Sequence, residues 1–101
     1  MVPNRIELCG RLTHAPELRT TPAGTPWLRL MVDCGVPGSE LALSVVMVGE
    51  RARTLAPSLR TGRVVRAMGS LRAVRGRIRA GLAQAALEVV ADEITPADEP
   101  P

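Results

Sequence analysis

The chain has 101 residues, 46% of them apolar and 23% charged, with a net charge of +3. It is long enough to bury one hydrophobic core and too apolar to remain unfolded. No run of 18 apolar residues exists, which excludes a helical membrane span, and "MVPNRIELCG" lacks the basic and long apolar blocks of a secretory signal, so a cytoplasmic protein with no membrane contact is expected.

Residues 5–12, "RIELCGRL", alternate: Ile6, Leu8, Gly10 and Leu12 share one face, and Arg5, Glu7, Cys9 and Arg11 the other. That is the pattern of a half-buried strand. "THAPELRTTPAGTP" is rich in Pro, Thr and Gly and reads as a loop or turn. Residues 27–34, "WLRLMVDC", alternate again, with Leu28, Leu30, Val32 and Cys34 inward and Trp27, Arg29, Met31 and Asp33 outward. "GVPGSE" is a turn. Residues 41–48, "LALSVVMV", are apolar on both faces, so something is expected to cover each side. Residues 50–59, "ERARTLAPSL", are the one helical candidate; Pro57 limits it and Gly62 follows as a stop. Residues 64–72 form a fourth strand with Val65, Ala67, Gly69 and Leu71 inward. "AVRGRIRAGLAQ" is a basic loop or hairpin tip. Residues 85–94 form a fifth strand with Leu87, Val89 and Ala91 inward.

Three strands, a short helix and two more strands show no βα alternation, which excludes a doubly wound sheet. The expected fold is all-β: a five-stranded OB-fold barrel with one short helix between strands 3 and 4. Gly10 and Gly69 suit the bends that barrel closure needs. Residues 1–95 are assigned to this domain and residues 96–101 to a short acidic tail.

The charge is uneven. All thirteen basic residues are arginine; nine fall in residues 51–79, where there is no acid, and five acids with no base fill residues 80–101. Arginine grips phosphate through a bidentate fork. Arg66 and Arg72 share the outward face of the fourth strand, Arg75, Arg77 and Arg79 project from the loop before the fifth, and Arg11 and Arg29 lie outward on the first two strands. The bland reading of this charge is a solubilising surface, and Arg51, Arg53 and Arg60 around the helix fit it best. No carboxylate pair, nucleophile–base set or phosphate-cradling loop points to catalysis. Cys9 and Cys34 make no CxxC pair and His14 stands alone, so no metal or other cofactor is expected, and the cysteines read as reduced packing residues.

"NRIELCGRLTHAPELRTTPAGTPWLRLMV" resembles the opening of bacterial single-stranded DNA-binding proteins, with Gly10, Leu12, Pro16, Glu17, Leu18, Arg19, Thr21, Pro22, Gly24 and Thr25 filling the family pattern. "VVMVGERARTLAPSLRTGRVVRAMGSLR" is similar to the middle of that family through Gly49, Leu59, Gly62, Val64, Gly69 and Leu71, and "EVVADEI" to its closing strand. In length and in its short tail the chain is most similar to primosomal replication protein N. The resemblance implies sequence-nonspecific binding of single-stranded DNA in replication or primosome assembly and restart. It also implies a homodimer, or a tetramer built of dimers, and contact with a replication helicase or other primosome proteins.

Two departures from the family matter. "ADEPP" is acidic but lacks the terminal apolar residue of the family's recruiting tail. Ala42, Val48 and Gly76 occupy the positions where the family stacks bases on aromatic rings, and Trp27 is the chain's one aromatic residue. A stack is worth about 1–3 kcal/mol per base, so the expected binding rests on Trp27, Arg29, Arg66, Arg72, Arg75, Arg77, Arg79 and Arg11 and is strongly salt dependent. Trp27 is equally readable as a stacking platform or as a dimer anchor, and Val46 and Val48 as residues that bury against a second subunit. The alternatives are an OB protein-interaction module of the replication machinery that binds DNA weakly, and an RNA binder on the same barrel.

Overall fold

A computed structural model of the chain describes residues 4–74, 78–79, 82–83 and 86–97. The five strands predicted by alternation are present as β1 (Ile6–Leu12), β3 (Pro26–Asp33), β4 (Ala42–Val48), β5 (Val64–Val74) and β8 (Ala86–Pro96). Three short strands join them: β2 (Glu17–Thr20), β6 (Ile78–Arg79) and β7 (Leu82–Ala83). β1 pairs with β5, β5 with β8, β8 with β4 and β4 with β3, and β3 returns to β1 through Arg11↔Asp33 and Leu12↔Val32. Within this circuit only β4–β8 is parallel. A five-strand circuit closed on itself, with a helix between its third and fourth strands, is the expected OB-fold.

The inward residues meet in one core. Leu12, Leu28, Leu30, Val32, Val45, Val65 and Val89 are essentially inaccessible, and Leu8, Met47, Ala67, Ala91 and Ile94 join them. Each such aliphatic side chain contributes about 1.5–3 kcal/mol relative to exposure. The helix α1 (Glu50–Leu55) is shorter than predicted, because Pro57 has no N–H with which to continue the ladder. The chain tightens into a 3₁₀ turn, Ala56–Ser58, and Ala52 and Leu59 from this segment are buried in the core.

Four details differ from expectation. The stretch after β1 is not all loop: β2 forms a hairpin with β3, turned through Thr21 and Gly24. The turn is closed by Gly24 N–H to Thr21 O at 2.8 Å and Thr21 N–H to Thr25 O at 2.9 Å.

β8 carries a bulge. Gly69 faces Ala91 but Met68 faces Glu93, which leaves Asp92 unopposed. One extra residue reverses the inside–outside alternation, so Val89 and Ala91 point inward before the bulge and Ile94 after it. Gly69 lies against the Val90 carbonyl, and Gly10 against Val32 and Asp33 where β1 passes from β5 to β3. A side chain at either would strike backbone.

Leu87 was expected inside but is 53% exposed. It lies one residue beyond Glu88, the end of the β4 pairing, so no barrel lies beneath it. Val46, expected to await a second subunit, is already buried within the chain; it is flanked in register by Arg29 on β3 and Val90 on β8. Val48 does remain exposed.

Candidate nucleic-acid interface

Strand alternation fixes what the outer wall presents. β2 offers Glu17 and Arg19, β3 offers Trp27, Arg29 and Met31, and β4 offers Ser44, Val46 and Val48. The register sets Arg19 beside Trp27 beside Val48, and Glu17 beside Arg29 beside Val46. The next row continues from Met31 to Ser44 to Glu88 to Arg72. Trp27 is half-buried among these neighbours and Arg29 is exposed.

A hydrogen-bonded chain crosses this wall. Arg29 Nε donates to Ser44 Oγ at 3.1 Å, and Ser44 Oγ donates to Glu88 Oε2 at 3.2 Å. Arg72 donates to Glu88 Oε1 from Nε at 2.9 Å and from Nη2 at 2.5 Å. Glu88 is a buried carboxylate, whereas the Arg72 side chain keeps 55% of its surface open. The structure thus gathers Trp27, Arg29 and Arg72 on one stretch of wall.

The remaining predicted residues lie elsewhere. Arg66 is on the outer face of β5, paired in register with Cys9 and joined to Glu7 by an ion pair. Arg11, on β1, donates from Nη1 to the Gly62 carbonyl at 2.8 Å. Arg79 falls in β6, whose backbone pairs with β7. Arg75, Arg77 and Gly76 lie outside the described residues, as do residues 98–101.

Folding also brings acids to arginines that have none nearby in sequence. Glu7 meets Arg66 and Glu88 meets Arg72. The arginine-rich stretch is therefore opposed in three dimensions, because antiparallel pairing sets β5 between the acid-bearing strands β1 and β8. Asp92, turned out by the bulge, accepts from Arg5 Nη1 at 2.7 Å. That bond holds its carboxyl below the usual range and lifts the guanidinium further. Burial pushes the Cys34 thiol up; it donates to the Leu41 carbonyl at 3.6 Å, while Cys9 is exposed on β1. Among the described residues no three His, Cys, Asp or Glu side chains cluster to hold a metal ion. No helix among them is long and apolar enough to cross a membrane.

Arg19 is the residue that sequence reasoning missed. Its signal was the alternation of Glu17, Leu18, Arg19 and Thr20, only four residues long and set between Pro16 and Pro22. It sits beside Trp27 and forms an ion pair with Glu17.

Comparison with known proteins agrees with this architecture. The chain is similar to the wild-type single-stranded DNA binding protein from Thermus aquaticus, whose crystal structure superposes with a TM-score of 0.79 at 27% identity. The match covers 98% of this chain and 42% of that one, so the chain spans about two fifths of its length. No curated protein matches. The model of the single-strand binding protein family matches residues 3–97, and its members bind rather than catalyse. A match over nearly the whole chain, on the closed circuit that the strands form, places it: the chain belongs to the single-strand binding protein family.

Proposed function

We propose that the chain binds single-stranded DNA without sequence preference, in the cytoplasm, as a homodimeric accessory of replication or primosome restart. The observation that carries this reading is the gathering of Trp27, Arg29 and Arg72 on one stretch of barrel wall in a domain of this family. Guanidinium groups neutralise phosphates and release counterions, so affinity falls steeply as salt rises. Arg66, Arg75, Arg77, Arg79 and Arg11 extend the basic surface in this proposal, and dimerisation doubles it. The test is a salt titration of binding to oligo-dT and to a duplex of the same length, read by Trp27 fluorescence. Quenching that collapses between about 50 and 300 mM salt supports the reading; no salt-sensitive binding defeats it.

A second reading is a protein-interaction barrel that partners a helicase or another primosome protein and holds DNA weakly. It is favoured by the ion pairs that already occupy Arg66 and Arg72. Replacing Arg72, Arg75, Arg77 and Arg79 together by Ala separates the two. DNA binding vanishes under the first reading, and partner capture survives under the second.

A further inference from the structure

The inference below rests on the single-strand reading and names where one nucleotide sits. A shallow recess of about 280 Å³ on the outer wall is lined by Arg19, Thr20, Thr21 and Trp27. Three physical features meet there. Trp27 is half-buried, so its ring is held rather than free to swing. Arg19 is its direct register partner on the edge strand β2, with 69% of the side chain open to solvent. Thr20 and Thr21 form the remaining rim, and the exposed Val48 pairs with Trp27 from the opposite side, on β4.

We infer that this recess is a single-nucleotide subsite, with a base stacked on the Trp27 indole and the adjoining phosphate on the Arg19 guanidinium. A flat ring beside a guanidinium matches a base beside its phosphate. A protein partner fits less well. Interface cores are depleted in charge, whereas the outer-face neighbours of Trp27 include Arg19, Glu17 and Arg29. The composition sharpens the inference: with no Phe and no Tyr in the chain, each protomer has one ring on which to stack a base. Glu17 is the present occupant of Arg19. Both side chains are solvent-exposed, and such pairs are weak, so a phosphate oxygen displaces the carboxylate. Glu17 thereby sets how tightly the subsite holds.

The test compares the intact wild-type chain with Trp27→Leu, Trp27→Phe, Arg19→Ala and Glu17→Gln, using end-labelled oligo-dT across about 50–300 mM salt. Thermal melts establish that each variant is folded. Trp27→Leu is expected to weaken binding roughly 5- to 150-fold, the equivalent of one lost stack, with an unchanged salt slope, and Trp27→Phe to restore most of it. Arg19→Ala is expected to flatten the slope of log affinity against log salt by about 0.7, one phosphate contact on a single strand. Glu17→Gln is expected to tighten binding. Full affinity in folded Trp27→Leu, or an unchanged slope in Arg19→Ala, overturns the subsite while the wild-type chain still binds. A dimer that dissociates in Trp27→Leu with its DNA affinity intact overturns it in favour of an anchoring role. Failure of the wild-type chain itself to bind at about 50 mM salt overturns the single-strand reading instead.

Discussion

The Glu88 carboxylate sits across the Arg72 guanidinium and accepts two of its N–H groups on one oxygen, at 2.9 and 2.5 Å. The two residues are direct partners in the β5–β8 ladder, so the contact is built into the register. Burial is lopsided: the Glu88 side chain is 11% exposed and that of Arg72 55%. Removing either partner therefore has a different cost. Arg72→Ala strands a buried charge with Ser44 as its remaining donor, and an unsatisfied buried acceptor costs about 1–3 kcal/mol. Glu88→Gln keeps the shape and an acceptor oxygen for Arg72 but removes the charge. Urea unfolding should show Arg72→Ala as clearly the less stable of the two. DNA binding keeps the same order: Glu88→Gln relieves the guanidinium of its counter-charge and should steepen the salt slope by about 0.7. Equal stabilities, or an unaltered slope, would refute this account.

Gly69 is required by the bulge opposite it. A side chain there meets the Val90 carbonyl and the Ala91 backbone, neither of which can rotate away. Gly69→Ala should destabilise the barrel by about 1–3 kcal/mol, the usual range for forced overpacking, measured as a lower denaturant midpoint with an unchanged m-value. Gly38→Ala is the control for a generic glycine effect, since it strains a turn with open space around it.

The two cysteines should separate in reactivity. Cys9 is exposed, whereas Cys34 is half-buried and its thiol is pushed up by desolvation. The thiolate is the reactive species, so iodoacetamide at mildly alkaline pH should label Cys9 first. Labelling of Cys34 should accelerate only as pH rises past the ordinary thiol range. Mass spectrometry of peptides at successive times checks the order.

The Arg5–Asp92 pair gives a pH signature. Its carboxylate is held below the usual range, chiefly by the hydrogen bond from Arg5. A depressed folded value means that the contribution is full above the ordinary carboxylate range and is lost as pH falls through the depressed value. Both groups are solvent-exposed, so the effect on stability is small. Carboxyl-carbon NMR should show Asp92 protonating only below the ordinary carboxylate range, and Arg5→Ala should move its midpoint back up. A midpoint indifferent to that substitution would exclude Arg5 as the cause.

Most of the barrel was legible because its strands are half-buried and alternate: Leu8 and Leu12, Leu28 to Val32, Val65 and Ala67 are where periodicity put them. β2 was hidden because four residues between prolines carry too little alternation to outweigh a turn-rich neighbourhood. Ile94 was left unplaced and Leu87 was misjudged, for two separate reasons. A bulge resets parity without any mark in composition, and burial depends on whether a partner strand lies underneath. The site was legible in its residue types and less so in its electrostatics. Nine arginines without an acid in residues 51–79 look unopposed along the chain, yet β1 and β8 flank β5 and deliver Glu7 and Glu88 to it. Sequence proximity is a poor guide to charge balance in a sheet whose neighbours are distant in the chain.

The parallel seam between β4 and β8 has a consequence for biosynthesis. It joins residues 44–46 to residues 88–90, so the cylinder lacks a stave until its final strand has left the ribosome. Until then the interior valines and leucines of the earlier strands stay open to water. The nascent barrel must shield that surface until residues 86–96 emerge and close it by long-range pairing.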